Sequence, residues 1–419
     1  MKKKLFAALL ASALAAGMLP ASACAASSSY TTSNATLIRF TDAAAKASGK
    51  YSGYEMDGTD VSITAAGTYV FSGDCDNGSI TVKKGVTGVT IVLNGLTLTN
   101  DDSAAITLNK TAEASLIAAA GTTNTVADTE GSNDENAAVK VKSGAALAIG
   151  GTGTLTVDGN AKNGIKGAAD AVITVAEVKL NINAANDGLS CDDELNITGG
   201  TLSITAGGDA VKASPDTGDT ENPDTTSLGN VTISGGTLTL ATGDDGVHAD
   251  NDLVIGAKGA SSTSTPRINI TASYEGLEGT TVTVYSGDID VVASDDGVNA
   301  ANSTLGERSD KYAISIAGGD LYIDAGSDGL DSNNDINITG GKVEVYGADA
   351  MMDAAIDYDG TFTLSGGTLF GAGMEPSAGT QALRSRAATM NIRSRCWPST
   401  KPSRATTRQA GRSARMRRL

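Results

Sequence analysis

An acidic residue followed by Gly or Ala and then by an apolar residue recurs along the chain, often at intervals of 21 to 24 residues. If the repeats stack, this motif forms an acidic column made of Asn163, Asp187, Asp209, Asp245, Glu275, Asp296, Asp328 and Asp349. Carboxylates about 5 Å apart repel each other by about 1 kcal/mol per neighbouring pair even in bulk water. The sequence offers no matching column of Lys or Arg. A divalent cation is therefore the simplest neutraliser, and Ca²⁺ accepts oxygen ligands in flexible geometry.

The predicted calcium ligands are column carboxylates and the acidic residues that flank them. The full set is Asp187, Asp192, Asp193, Asp209, Asp244, Asp245, Asp250, Asp252, Asp295, Asp296, Asp328, Asp331 and Asp335. For each of them a purely structural role is the alternative, because Asp before Gly is a turn former whose side chain accepts nearby backbone N–H groups. The pattern predicts at least one calcium ion along the column and leaves its ligands open.

Two lysines are placed for a different chemistry. Lys166 and Lys212 each stand three residues after a column position, as does His248, the single histidine of the chain. Elimination at a uronic acid needs a metal that acidifies the proton beside the carboxylate and a base that removes this proton. Lys166 and Lys212 are therefore weak candidates for the base of a calcium-dependent uronate lyase, although a lysine on a solvated strand more often serves solubility. With one histidine, His-based triads are disfavoured.

Four tyrosines in the C-terminal half are weak candidates for stacking on sugar rings: Tyr274, Tyr285, Tyr322 and Tyr346. Tyrosines scattered over a surface are an equally good interpretation. The sequence therefore does not fix a glycan-binding face.

The elements that carry these residues are short strands. Between the acidic motifs, apolar and polar residues alternate on both sides of a Gly-Gly pair, as in 195–204 and 336–345, and a period of two predicts strands with one buried face. Gly-Gly and Asp-Gly are both expected to supply the positive φ of tight corners. A unit of about 22 residues cannot fold alone, so we predict an all-β fold, a parallel β-helix (solenoid) of roughly twelve coils between Thr59 and Phe370.

Composition supports this fold class. The 419 residues include 51 glycines and only 4% aromatic residues. So few rings cannot fill a large sandwich core, where aromatic side chains dominate the buried area, whereas ladders of Leu, Ile and Val can fill a solenoid. The formal net charge of −17 argues against nucleic acid as a partner.

The N-terminus is typical of an exported protein. Residues 1–25 combine three lysines, an apolar stretch and a small-residue cleavage site before Cys24, which is the pattern of a signal peptide. Cleavage alone and lipidation of Cys24 are both open. We expect an extracellular or cell-surface monomer that reaches the membrane only if Cys24 carries a lipid. Residues 26–58 are predicted to form a Ser/Thr/Ala-rich tether, and 59–375 the repeat domain.

The C-terminal segment has a different composition. Residues 376–419 contain ten arginines and no acidic residue, and they show neither β alternation nor Gly-Gly corners. We predict an unstructured basic tail there. Our preferred explanation is translation in a shifted reading frame, and the alternative is a tail that binds an anionic polymer.

At these residues the chain resembles a known family, the secreted clostridial carbohydrate-binding domain-containing proteins. The resemblance spans roughly 60–375 and is carried by the repeated Asp-Gly and Gly-Gly corners and by the segments 67–73, 92–95, 121–124 and 245–253. It implies a right-handed parallel β-helix akin to polysaccharide lyases. It also implies bound calcium and binding of plant-type polysaccharides, either cellulose or polygalacturonate, without established catalysis.

Three functions remain at this point. A polysaccharide-binding protein with structural calcium is the main hypothesis, for plant cell-wall or acidic glycans. The alternatives are a calcium-dependent polysaccharide (uronate) lyase and a surface adhesin or scaffold without catalysis. Whether the protein is an enzyme stays open, with a binding role favoured.

Overall fold

The computed structural model describes residues 34–49, 52–131, 133–215, 228–259, 265–302, 305–306, 309–348, 353–373 and 389–393. Within these ranges the chain is all-β and contains no α-helix. Accordingly, the described residues include no helix with the length and apolar character that crossing a membrane requires. The expected signal peptide, Cys24 and most of the basic segment lie outside the described residues.

The strands are short and follow one another closely. The N-terminal strands are β1 (Thr36–Phe40), β2 (Lys46–Gly49), β3 (Tyr54–Asp57), β4 (Asp60–Ile63), β5 (Gly67–Cys75), β6 (Ser79–Val82), β7 (Val89–Asn100), β8 (Ile106–Leu108) and β9 (Glu113–Ala118). The middle strands are β10 (Thr123–Asp128), β11 (Ala137–Val141), β12 (Ala146–Gly151), β13 (Thr154–Gly159), β14 (Asn163–Gly167), β15 (Val172–Val175), β16 (Lys179–Ala184), β17 (Leu189–Cys191), β18 (Glu194–Ile197), β19 (Thr201–Ala206), β20 (Val211–Ala213), β21 (Asn230–Ile233) and β22 (Thr237–Thr242). The C-terminal strands are β23 (Val247–Ile255), β24 (Arg267–Ala272), β25 (Leu277–Val284), β26 (Asp288–Val292), β27 (Val298–Ala300), β28 (Ala313–Ile316), β29 (Asp320–Asp324), β30 (Leu330–Ser332), β31 (Asp335–Ile338), β32 (Lys342–Tyr346), β33 (Ile356–Tyr358), β34 (Phe362–Leu364), β35 (Thr368–Ala372) and β36 (Thr389–Arg393).

Parallel pairing between equivalent strands organises the whole sheet. From β10 onward each strand pairs with its counterpart one repeat later, as in β10–β13–β16–β19, β11–β14–β17–β20 and β12–β15–β18–β21. Three parallel ladders result. Among the described strands, only β1–β2 and β3–β4 pair antiparallel. This large, mostly parallel sheet agrees with the predicted all-β solenoid class.

The core consists of aliphatic side chains stacked in register. In β19 the residues alternate between exposed and buried, and the buried Leu202 pairs with Leu180 in the preceding strand and Leu238 in the following one. Burying one such side chain contributes about 1.5–3 kcal/mol. Stacked aliphatic residues thus fill the interior without the aromatic residues that the composition lacks.

Glycines serve two different purposes at the corners. The second glycine has positive φ in the Gly-Gly pairs that separate alternating segments, at Gly200, Gly236, Gly319, Gly341 (+81°) and Gly367, as the sequence predicts. The glycines after the column residues do not have positive φ, so that part of the prediction is wrong. At Gly297, an added Cβ would stand 2.1 Å from Cγ2 of Ile323 and 2.7 Å from the carbonyl oxygen of Gly329. Glycine is needed there because core side chains and the next coil approach closely.

The fold begins earlier and ends later than expected. Within the predicted tether, β1 pairs in parallel with β5, and its Ile38 and Phe40 are buried in the core. The structure therefore differs from the tether prediction from Thr36 onward. At the other end β36, inside the segment predicted to be unstructured, pairs in parallel with β35.

Candidate functional site

Strand register brings the acidic column together as predicted, with one change. Each column residue stands two positions before a residue that is a register partner in the neighbouring coils. These register partners are Ile165↔Leu189↔Val211↔Val247↔Leu277↔Val298↔Leu330. The aligned column residues are therefore Asn163, Asp187, Asp209, Asp245, Glu275, Asp296 and Asp328. The next position belongs to Ala354, because Leu330 pairs with Ile356. Placing Asp349 there was wrong, and Asp349 itself lies outside the described residues. The motif repeats in sequence at 349–351, but strand pairing selects 354–356.

Most column side chains bond to the backbone of the following coil. Asn163 Oδ1 accepts the N–H of Asp187 at 3.1 Å, and Asp187 Oδ1 accepts the N–H of Asp209 at 3.2 Å. The same bond joins Asp245 Oδ1 to the N–H of Glu275 at 3.2 Å and Asp296 Oδ1 to that of Asp328 at 2.9 Å. Each of these side chains thus satisfies a buried N–H group, which supports the structural role raised as the alternative to metal binding.

Glu275 interrupts this series of bonds. Its longer side chain accepts both hydrogen bonds from Nδ2 of Asn299, at 3.1 Å each. Burial, followed by the charges of Glu278 and Asp245, raises the pKa of the Glu275 carboxyl to about 9. The column therefore divides at Glu275 into an N-terminal and a C-terminal part.

A second line of side chains runs beside the column, three residues later in each repeat. We call it the outer row; its register partners are Thr81, Thr107, Lys140, Lys166, Ser190, Lys212, His248, Glu278, Asn299, Asp331 and Asp357. Both candidate bases lie on it and both are ion-paired. Lys166 Nζ is 2.6 Å from Asp192 Oδ1, and Lys212 binds the carboxylate of Asp209.

His248 occupies the centre of the outer row and is surrounded by carboxylates. Its Nδ1 contacts Asp245 Oδ2 at 3.1 Å and also the Glu278 carboxylate, while Nε2 lies 2.8 Å from Asp250 Oδ1. Although burial opposes the charged form, these hydrogen bonds raise the pKa of His248 well above its usual value. A charged imidazolium therefore offsets part of the negative charge of these three carboxylates. Sequence reasoning missed Glu278, which the shared offset from the column residue could have identified.

The C-terminal part of the column contains several carboxylates, and none of the described lysines, arginines or histidines pairs with those of Asp296, Asp328 and Asp331. Burial is the main cause that raises the pKa of Asp296 to about 6, of Asp328 to about 7 and of Asp331 to about 8. Among the described residues, none of the three forms an ion pair. Asn299 is 8% exposed, and its buried Oδ1 has no hydrogen-bond partner within the part of the chain that the structure describes. Strand register places Asn299 beside Asp331 on the neighbouring coil, so acidic and amide side chains are grouped in this part of the column.

The remaining predicted ligands fall into separate groups. Asp209, Asp244 and Asp245 each place one oxygen within 4.8 Å of the others. Burial raises the pKa of Asp193 to about 6. Two other predicted ligands form hydrogen bonds with threonines instead. Asp252 Oδ1 accepts a hydrogen bond from Thr281 Oγ1 at 2.6 Å. Asp335 Oδ1 accepts hydrogen bonds from the N–H and Oγ1 of Thr361, at 2.8 Å each. Asp295 is bonded to Tyr274, whose pKa it raises.

The four candidate tyrosines do not form one platform. Tyr322 and Tyr346 are only 6% and 5% exposed, and their ring centroids lie 5.5 Å apart. Because these rings are buried against each other and Tyr346 also contacts Phe370, they offer no free face to a sugar, contrary to the sequence interpretation. Tyr274 is 50% exposed, and Tyr285 is half-buried.

Comparison with known proteins identifies related sequences. A sequence model of the family described as carbohydrate-binding domain-containing protein matches residues 57–329 and 261–369, which is well over half of the chain. A carbohydrate-binding domain-containing protein from Acetivibrio thermocellus is 31% identical over 136 residues. That alignment covers 30% of this chain and 47% of the relative, so the chain spans about half the length of the relative.

A solved structure is also similar. The gadolinium derivative of the polysaccharide lyase-like protein from C. thermocellum aligns with a TM-score of 0.46 and 24% sequence identity. The alignment covers 73% of this chain and 99% of that chain.

Proposed function

The chain belongs to the carbohydrate-binding domain-containing protein family, and on that premise we propose that it is a polysaccharide-binding protein with structural calcium, located outside the cell or at its surface. The family match over 57–329 and 261–369 carries this proposal. This family match also confirms the resemblance inferred from the sequence. The named function of the relatives supplies the class of ligand, a carbohydrate.

The finer architecture belongs to the same proposal. We infer a right-handed β-helix of roughly twelve coils. The three parallel ladders support a coil with three strands. The right hand follows from the twist that parallel strand connections prefer.

Calcium is proposed for the C-terminal part of the column. Asp296, Asp328 and Asp331 would supply carboxylate oxygens, and the unpartnered Oδ1 of Asn299 a neutral one. Such a mixed oxygen set suits Ca²⁺. Near His248 the imidazolium already provides positive charge, and near Lys212 the ammonium does. These two parts of the column therefore have less need of a calcium ion, because side chains already supply positive charge there.

The proposed ligands are plant cell-wall polysaccharides, either cellulose or acidic glycans such as polygalacturonate. A surface rich in carboxylates repels an anionic glycan unless cations lie between them. Calcium held at the column would provide that bridge for polygalacturonate, whereas cellulose, which is neutral, would not need it.

Affinity electrophoresis and isothermal titration calorimetry with soluble cello-oligosaccharides and oligogalacturonates test the proposal. We expect binding to at least one of these glycans, and we expect oligogalacturonate affinity to fall when EDTA replaces calcium. A dextran oligomer serves as the unrelated control. If neither glycan binds with calcium present, the proposed function is wrong, and a scaffold without a glycan ligand becomes the better interpretation.

A further inference from the structure

A polar cleft lies on the N-terminal coils, far along the sequence from the calcium proposal. Its volume is about 390 Å³, and its lining includes Asp60, Thr81, Asp102, Ser103 and Thr107. Hydroxyl, amide and carboxylate groups form this lining, with Ala104 as its single apolar residue. Such a surface matches the hydroxyl groups of a sugar better than an apolar ligand.

Several of the lining hydroxyls have no partner within the described part of the chain. Thr107 is only 7% exposed, yet its hydroxyl forms no hydrogen bond there. The hydroxyls of Thr81 and Ser103 also form no hydrogen bond among the described residues. By contrast, the Ser79 hydroxyl donates a hydrogen bond to Asp60 Oδ1 at 2.6 Å. Because Thr107 lines the cleft, its hydroxyl can form a hydrogen bond to a ligand that enters there.

Lys140 stands next to Thr107 on the outer row. Thr107 and Lys140 are register partners on β8 and β11, which places them about 4.8 Å apart between neighbouring strands. Lys142 pairs with Glu135, and Lys166 pairs with Asp192 at 2.6 Å. Lys140 forms no ion pair among the described residues, so its ammonium can pair with an anionic group that a ligand brings. Burial, followed by the charge of Lys166, lowers the pKa of Lys140.

We propose that Lys140 and this cleft bind a carboxylated sugar residue of an acidic polysaccharide. The Lys140 ammonium pairs with the sugar carboxylate, and the hydroxyls of Thr107 and Thr81 bond to hydroxyls of the same or the next sugar. The inference rests on the proposed function and deepens it, because it assigns the uronate residues of the proposed acidic glycan to a specific site, Lys140 and the cleft. It also provides recognition of the anionic group that needs no calcium.

The charge of the site favours a monoanionic sugar. Asp60 and Asp102 line the cleft, so a phosphorylated ligand with two negative charges would be repelled more strongly than a uronate. Since a neutral sugar would leave the Lys140 ammonium unpaired, it would gain less. A single carboxylate beside several hydroxyl groups fits both features.

The Lys140→Met variant tests the inference, with Lys179→Met as the matched control. Lys179 is exposed on β16 in a different ladder, so its replacement removes the same charge elsewhere. In EDTA, we expect Lys140→Met to weaken oligogalacturonate binding at least about tenfold, the loss expected for a charge-assisted hydrogen bond. Thr107→Val, which keeps the shape, should weaken it about fivefold. Unchanged affinity in Lys140→Met, or an equal loss in Lys179→Met, would overturn the proposal.

A second probe separates this inference from the proposed function. Reductive ¹³C-methylation labels the lysines for NMR, and the signal absent from Lys140→Met identifies Lys140. We expect monomeric galacturonate, but not galactose, to shift that signal, whether or not the polymer binds. If no polymer binds but galacturonate still shifts the Lys140 signal, only the proposed function is contradicted. Polymer binding without any shift of the Lys140 signal would contradict only the site.

Discussion

The carboxylate of Asp209 accepts the backbone N–H of Asp245 at 2.9 Å although 36 residues separate the two in sequence. Asp187 and Asp209 are only 22 residues apart, yet they form the same bond. The column residue is therefore tied to the next coil by strand pairing rather than by sequence distance. Its oxygen, not its charge, makes this bond.

Replacing Asp187 separates these two properties. Asp187→Asn keeps an oxygen for the N–H of Asp209 and should change the free energy of unfolding by less than about 0.5 kcal/mol. Asp187→Ala leaves that buried N–H unpaired and should cost about 1–3 kcal/mol. Urea denaturation measures both. Asn163, which makes the same bond, shows that an amide is compatible with the position. Equal costs for the two variants would contradict the structural role.

The stability of the calcium-free protein should fall as pH rises. In the folded state the pKa is about 9 for Glu275 and about 8 for Asp331, whereas unfolded carboxyls ionise near pH 4. Between about pH 4 and about pH 9 the folded state thus binds more protons than the unfolded state, and the free energy of unfolding decreases with pH. In EDTA, we expect the melting temperature to drop by several degrees from about pH 5 to about pH 9.

Glu275→Gln provides the control for this pH dependence. The amide cannot ionise. The fall in melting temperature between about pH 8 and about pH 9, which the ionisation of Glu275 causes, should therefore disappear. A melting temperature that does not vary with pH in EDTA would show that these carboxyls are not held protonated in the folded protein.

Calcium should reverse the effect of pH by favouring the ionised carboxylates. At a concentration about 100 times its Kd, one bound ion adds about 2.7 kcal/mol to the free energy of unfolding. Asp331→Asn removes one proposed ligand and should weaken calcium affinity at least about tenfold. Asp158→Asn is the matched control, because Asp158 lies on ladder strand β13 and accepts a bond from Asn183 at 2.7 Å. Metal analysis and melting with and without EDTA measure the result; identical curves would contradict calcium binding.

Gly297→Ala should destabilise the fold by about 1–3 kcal/mol, the usual cost of overfilling a core. The added methyl group would stand 2.1 Å from Ile323 Cγ2, and the coil beneath it cannot move apart without breaking strand pairs. Gly199→Ala is the control, because its nearest neighbour would be 3.6 Å away. Chemical denaturation of both variants checks the difference.

No lyase activity is expected from Lys212. Its ion pair with Asp209 raises its pKa even though burial opposes the charged form, and a general base at neutral pH needs the opposite shift. Incubation with polygalacturonate and calcium should release no unsaturated uronate. Product formation that disappears in Lys212→Ala would overturn the binding-only interpretation.

The column could be predicted from sequence because its motif is short and repeats at similar intervals. The same criterion misled at Asp349, where the motif recurs but pairing selects Ala354. It also hid Lys140, because Ala137, not an acidic residue, precedes Lys140 at the column position. A search for acidic motifs passes over a coil that lacks one.

The alternation of apolar and polar residues along a strand does not predict which outward-facing side chains are buried against each other. Tyr322 alternates with the inward-facing Leu321 and Ile323, so the pattern places it on the outer surface, where an exposed ring was expected. Its contact with Tyr346 is formed across strands. Which outward side chains cover one another depends on strand order in space, and the period of two carries no such information.

The outer row gives the molecule a direction. Its side chains change from the hydroxyls of Thr81 and Thr107 through the amines of Lys140 and Lys166 to the carboxylates of Asp331 and Asp357. A polysaccharide repeats itself, so on a uniform surface it could slide by one sugar or reverse its ends without a change in energy. Along this row such a movement changes which side chains face each sugar, and a reversal exchanges the end with the amines for the end with the carboxylates. An acidic glycan would therefore be held in one position and one orientation.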